Sequence, residues 1–208
     1  LGVNLGKLGF LAEVSTDEIQ QCIDDIIQGN YKIEERMVLE AKCLSDNSLF
    51  YALNEIVIDK GALPRVIELE TSVNGDYMVT YSADGIILNT PTGSTAYSLA
   101  SGGPIVSPQC NVITINPIAP HTLSARPVIV PDTSQIKVTV NADGKDAHIT
   151  ADGQLEKFFT TPAEFIIRMA DYTIKLVKRK KRTYFDLLRT KLQWGRDIRM
   201  SRNPELDK

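Results

Sequence analysis

The segment DGIILNTPTGSTAYSLASGGPI, residues 84–105, concentrates side chains that could hold a polar ligand. Thr92, Ser94 and Thr95 place three hydroxyls within four residues, and Tyr97 follows with a ring that can cover a flat base. An apolar strand, Ile86-Ile87-Leu88, runs into Pro91-Thr92-Gly93, and the spacing predicts a helix from about Ser94 to Ala100 capped by Ser94 or Thr95. Free amides at such a helix start, at the positive end of its dipole, favour an anion or a polar ligand edge. Gly102-Gly103-Pro104 permits a tight exit. Read from the residues alone, the same segment is equally a capped helix on a β scaffold with no ligand. It is neither a Walker loop, since no Gly-Lys-Ser/Thr occurs, nor a Gly-x-Ser-x-Gly elbow.

Asn54 and Glu55 interrupt a second apolar run, LNEIVI at 53–58, an expensive choice unless their polar groups find partners. They are either a satisfied pair at a strand edge or acceptors for ligand hydroxyls. The histidines are His121, a structural hydrogen-bonding residue beside a proline, and His148, so a histidine-rich metal centre is excluded. Cys22, Cys43 and Cys110 are odd in number and widely spaced, which argues against a disulfide framework or a zinc site and for a reducing cytoplasm. A net charge of −3 argues against general nucleic-acid binding. Between Lys175 and Arg199, however, ten Lys/Arg face two acids, a stretch of +8 against −11 elsewhere. That stretch is a solvated face or a patch that draws polyanions, nucleotide phosphates among them. No apolar run approaches the ~18 residues of a membrane span, and no signal peptide is visible. Because the chain starts at Leu1, it is expected to be a piece of a longer protein.

Positioning these groups falls to a β-rich scaffold. Ser15 and Glu18 have capping-box spacing ahead of a helix at about 16–28, in which Ile19, Cys22, Ile23, Ile26 and Ile27 form one apolar stripe. Strands are predicted near 31–44, 49–59, 65–74, 76–82, 85–90, 112–116, 127–130, 135–141, 147–151, 163–169 and 172–178. Turns are marked by Asn74-Gly75, Asp143-Gly144 and Asp171. A last helix is expected at Tyr184–Leu192. The fold class is therefore mainly β, a two-sheet sandwich-like domain with a few helices, preceded by the tail of an α/β domain. The expected boundaries are 1–30 for that tail, 31–178 for the β-rich domain and 179–208 for a helix and tail that return to the first domain.

The 84–105 segment closely resembles the Asp-Gly-x-x-x-x-Thr-Pro-Thr-Gly-Ser-Thr-Ala-Tyr-Ser…Gly-Gly-Pro block of NAD kinases. Further blocks of that family follow its order: GKLGFL at 6–11, LNEIVI at 53–58, PIAPHTLSARP at 117–127 and ADGQ at 151–154. The resemblance implies transfer of the γ-phosphoryl group of ATP, with a divalent metal such as magnesium, to the 2′-hydroxyl of the adenosine ribose of NAD. It implies that Asn54 and Glu55 hold adenosine and ribose hydroxyls, that Thr92 lines the turn, and that Thr95 and Ala96 meet the adenine edge. Tyr97 would cover the base, and Ser98, Leu99 and Ala100 continue that wall. Asp84 would meet the nicotinamide end, with Arg65 and Ala119 lining the pocket. Asp152 and Gln154 fall where the family contacts the second nucleotide, from a neighbouring subunit of a homo-oligomer, expected to be a tetramer. The family's catalytic Gly-Gly-Asp-Gly, whose Asp takes the proton of the 2′-hydroxyl, does not occur in these residues. The expectation is thus an NAD-binding part with no catalytic or metal-ligating residue of its own, inactive in isolation. The competing readings are a non-catalytic NAD(H) sensor module and a lipid kinase of the related diacylglycerol and sphingosine type. Gly-Gly-Asp-Gly upstream of Leu1 would favour the kinase over the sensor, and the complete TPTGSTAY block argues against the lipid kinase.

Overall fold

Alternation of apolar and polar residues gives the strands their two faces. In Ile67–Val73 the side chains of Ile67, Leu69 and Thr71 are buried while Glu68 and Glu70 are exposed, and Ile136, Val138 and Val140 repeat the pattern in their strand. The computed structural model describes residues 2–4, 10–179 and 183–192. In chain order its strands are β1 (Gly2–Asn4), β2 (Ala12–Ser15), β3 (Tyr31–Cys43), β4 (Leu49–Ala52), β5 (Glu55–Asp59), β6 (Ile67–Val73) and β7 (Asp76–Ala83). Then come β8 (Gly85–Asn89), β9 (Val112–Ile118), β10 (Val128–Pro131), β11 (Ile136–Asn141), β12 (Asp146–Ala151), β13 (Leu155–Thr160) and β14 (Ala163–Arg179). The helices are α1 (Ile19–Ile27), the single turn α2 (Tyr97–Ala100) and α3 (Tyr184–Leu192).

Two six-stranded sheets carry most of the structure, in the orders β10-β9-β8-β5-β12-β13 and β4-β3-β14-β11-β6-β7. All five pairings of the first sheet are antiparallel. One apolar cluster joins Ile56, Ile58, Ile86, Leu88, Ile113 and Ile149 of that sheet to Leu39, Leu69, Val138, Phe165 and Ile167 of the other. The sheets therefore face each other across a common core, the sandwich expected from the strand density. The chain divides into two compact units, Glu35–Ile174 on the one hand and the flanking segments up to Glu34 and from Lys175 on the other. In the flanking unit β1 and β2 pair in parallel, and Ser15 and Glu18 form the expected capping box. The predicted α3 is present, with Leu187 and Leu188 buried.

Several expectations are corrected. The run 49–59 is two strands, because residues 53 and 54 leave the sheet. Residues 163–178 form the one strand β14, with no turn at Asp171: that carboxylate is exposed and pairs with Arg168 at 2.8 Å, so the residue stays on a hydrated strand face. β13 (Leu155–Thr160) was not among the predicted strands. The helix predicted over 94–100 is a 3-10 turn, Thr92–Thr95, then α2, broken where Ala96 adopts φ −100° and ψ −132°. With no continuous helix there, the argument for an anion at its start loses its basis. Of the apolar stripe on α1, only Cys22 is buried, while Ile19, Ile23 and Ile27 are exposed. Residues 6–9 of the GKLGFL block, and 180–182 and 193–199 of the basic stretch, lie outside the described residues.

Candidate functional site

The site grows from the interruption between β4 and β5. Asp152, at the turn from β12 to β13, turns its carboxylate onto three successive backbone amides: Leu53 (2.8 Å), Asn54 (2.8 Å) and Glu55 (3.0 Å). Its own amide donates to the Glu55 carbonyl at 3.0 Å. From the other side, the Thr90 hydroxyl donates to the Leu53 carbonyl at 2.6 Å and the Thr90 amide to the Asn54 carbonyl at 2.9 Å. Every backbone polar group of residues 53–55 is thus satisfied within the fold, which fixes where the side chains of Asn54 and Glu55 point.

The 90–107 segment lies against this turn. A Cβ on Gly93 would sit 2.1 Å from the Asn54 carbonyl oxygen, so glycine alone allows the approach. Ser94 staples the segment internally: its hydroxyl donates to the Pro91 carbonyl at 2.7 Å and accepts from the Val106 amide at 3.0 Å. Ser98 is fully buried, and its carbonyl and hydroxyl accept from Asn116 Nδ2 at 3.1 and 3.3 Å. Ser98 therefore shapes the wall from behind. Leu99 is half-buried and Ala100 exposed. The break at Ala96 frees the Tyr97 amide, which donates to the Glu55 carboxylate, while the Tyr97 ring stands 47% exposed. Thr95 and Ala96 are half-buried beside it. Buried Arg36 of β3 donates to the Thr92 hydroxyl at 3.5 Å.

Glu55 is the chemically unusual group. It is 7% exposed, and its Oε2 has no hydrogen-bond partner. Burial, and then the negative charge of Asp152, push its carboxyl up to about 7, against the Tyr97 amide, which favours the ionised form. Neutral and ionised forms are therefore close in free energy near physiological pH.

At the opposite end of the β5–β8 pair, Asp84 forms an ion pair with Lys60 at 2.7 Å, and its amide donates to the Ile118 carbonyl at 3.0 Å. Exposed Ala119 adjoins it in the left-handed region, φ +44°. Arg65 lies apart, exposed in a surface cleft of about 210 Å³ with Ser82 and Asn141. Gln154 is exposed just past Asp152. The fold thus unites Asn54, Glu55, Thr92, Thr95, Ala96, Tyr97 and Asp152. Asp84 and Ala119 sit one strand length away. Sequence reading missed Thr90, Arg36, Lys60 and Asn116, and it missed why Asp152 matters. The polar positions at Asn89, Thr114 and Asn116, inside otherwise apolar strands, were a signal that could have pointed to them.

Residues 53–179 match the model of the ATP-NAD kinase C-terminal domain. An NAD kinase of Heliobacterium modesticaldum is 43% identical over 199 residues, covering 94% of this chain and 70% of that protein. One from Bacteroides fragilis is 45% identical over 203 residues, covering 96% and 69%. The chain belongs to the NAD kinase family. Among solved structures, yeast NADH kinase complexed with NADH matches with a TM-score of 0.85 and 30% identity. The match covers 94% of this chain and 59% of the yeast protein's length. An NAD kinase from Archaeoglobus fulgidus in complex with ATP matches with a TM-score of 0.79 and 26% identity, over 93% and 73%. Membership of the NAD kinase family agrees with the sandwich fold and with the sequence blocks that carry the resemblance.

Proposed function

We propose that this chain holds the dinucleotide acceptor for transfer of the γ-phosphoryl group of ATP to the 2′-hydroxyl of the adenosine ribose of NAD, giving NADP. The observation that carries this reading is the fully satisfied turn at 53–55, which presents Asn54 and a buried, unpartnered Glu55 oxygen beside an exposed tyrosine ring. A ribose diol needs such acceptors, and a base needs such a face. We assign the adenosine to Asn54, Glu55, Thr92, Thr95, Ala96 and Tyr97, backed by Ser98, Leu99 and Ala100. The nicotinamide end goes to Asp84 and Ala119, with Arg65 and Gln154 at the periphery. Strands β5 and β8 separate the two ends by five residues at ~3.4 Å each, roughly 17 Å, a span suited to an elongated ligand.

Among the described residues no group of three or more His, Cys, Asp or Glu side chains could hold a metal ion. We assign the divalent metal, magnesium, to the phosphates of ATP and route no step through residues of this chain. No helix of the described residues is long and apolar enough to cross a membrane. We place the protein in the cytoplasm, consistent with three free cysteines, and infer a homo-oligomer, a tetramer, in which sheet edges such as β7 are covered. Light scattering of a monomer at micromolar concentration would contradict that assembly. The carboxylate that the family uses as a base is not in this sequence, so the isolated chain binds NAD without turnover. Incubation with NAD, ATP and magnesium, followed by assay for NADP, tests this.

The site itself is tested by calorimetric titration of NAD. Asn54→Ala removes a hydrogen bond, at about 0.5–1.5 kcal/mol. Tyr97→Ala removes stacking, at about 1–3 kcal/mol by analogy with other aromatic–base contacts. Unchanged affinity in both variants, with circular dichroism intact, would remove the assignment.

A further inference from the structure

Three buried side-chain atoms without hydrogen-bond partners lie in one row across the first sheet: Glu55 Oε2, Asn89 Oδ1 and Thr114 Oγ1. Glu55 of β5 is the direct cross-strand partner of Asn89 of β8, and Asn89 is that of Thr114 of β9. Direct partners share a face with Cβ atoms about 4.5–5.5 Å apart, so the row is contiguous. Asn89 Nδ2 is already committed to the Thr90 carbonyl at 2.9 Å, and its buried oxygen, which can only accept, has no partner. An ionised Glu55 would add a second acceptor beside that oxygen, whereas a protonated Glu55 brings a donor to it. Thr114 closes the row on the far side, its buried hydroxyl likewise without a partner. Asp152 adds to the same preference, because its carboxylate is fixed by three amides and cannot swing away.

We propose that Asp152, Asn89 and Thr114 are positioning residues that keep Glu55 protonated in the ligand-free site, and that a dinucleotide ribose expels this proton to solvent as it binds. A ribose diol offers two donors, which an ionised carboxylate accepts better than a neutral acid does. The groups facing Glu55 are Asp152 from the β12–β13 turn, the Tyr97 amide from α2, and neutral Asn89 and Thr114 from β8 and β9. Arg36, whose guanidinium donates to the Thr92 hydroxyl, is not among the groups that shift Glu55. The second half of the proposal rests on the NAD site described above, and the first half does not.

Infrared difference titration of the ligand-free full chain reads the first half directly. A protonated carboxyl band should titrate near neutrality, vanish in Glu55→Gln and move to lower pH in Asp152→Asn and Asn89→Leu. Absence of the band above about pH 5.5, where an ordinary glutamate is ionised, would overturn the proposal. Calorimetry of NAD in buffers of different ionisation enthalpy reads the second half. Near pH 6.5 binding should release a proton, and affinity should fall up to about tenfold per pH unit below about 7. Glu55→Gln should lose both effects. Binding without proton release overturns the second half. A chain that shows the band yet binds no NAD at any pH overturns it together with the site reading, while the protonation of Glu55 stands.

Discussion

Two carboxylates, Asp152 and Glu55, lie side by side with opposite tasks. Asp152 spends both oxygens on backbone amides, which fixes its carboxylate in place. Glu55 meets one amide, is buried, and feels the charge of Asp152, while its Oε2 has no partner. Environment, rather than residue type, divides the satisfied acid from the unsatisfied one here. Gly93 shows the same dependence on the neighbouring backbone. An added Cβ would meet the Asn54 oxygen, carbon and Cα at 2.1, 2.5 and 2.8 Å, all backbone atoms that cannot rotate aside. Gly93→Ala should therefore push the 92–95 turn off Asn54, destabilise the fold by about 1–3 kcal/mol and weaken NAD binding at least tenfold. Urea unfolding and calorimetry measure the two effects, and a variant with wild-type values would show that the turn yields without cost.

At the scale of elements, the break between β4 and β5 is what makes a site. A continuous strand over 49–59 would hydrogen-bond its amides to a neighbour, whereas here three of them serve the Asp152 carboxylate. Asp152→Ala should cost about 2–3 kcal/mol, since hydrogen bonds to a charged group are among the stronger ones; relief of the repulsion on Glu55 offsets part of the loss. A lowered urea midpoint with unchanged slope would report this, and an unchanged midpoint would mean the turn is held by Thr90 alone. Most elements were legible in the sequence because their cause is local. Val, Ile and Thr runs marked β5, β6, β8 and β11, the Asn74-Gly75 pair has the positive φ of a tight hairpin turn, and Ser15 with Glu18 marked a helix start. What was hidden has a long-range cause. Asp152 acts on residues about a hundred positions away, and nothing local in LNEIVI announces it. The break at Ala96 answers to Gly93 and Glu55, and β14 continues through Asp171 because Arg168 pairs with that residue on an exposed face. The family blocks pointed to the candidate residues, but that Ser98 is buried and braces the 97–101 wall from behind required the fold.

For the whole molecule, the inner face of the first sheet supplies the core, with Ile56, Ile58, Ile86 and Leu88 at or near complete burial. Its outer face carries Glu55, Asn89, Thr114 and Asn116 under the 90–107 segment. Holding a carboxyl on that covered face links the stability of the entire fold to pH. Glu55 is raised from 4.5 to about 7 in the folded chain, so between these values the folded state keeps a proton that the unfolded state has lost. The contribution is fully present below the unfolded value and disappears as pH rises through about 7. Its size, at 1.36 kcal/mol per unit, is at most about 3 kcal/mol. Asp171 and Asp186 work in the opposite sense: Arg168 lowers the first and Thr183 the second, so their contributions are lost only in more acidic solution, outside this window. The urea midpoint of the chain should therefore fall between pH 5.5 and pH 8.5, where most single carboxylates are silent. Glu55→Gln, which cannot ionise, should flatten the curve and be the more stable protein at pH 8.5 while binding the dinucleotide less well. Parallel curves for the two proteins would mean that Glu55 is ionised at little cost, and the buried acid would lose its place in both the stability and the ligand argument.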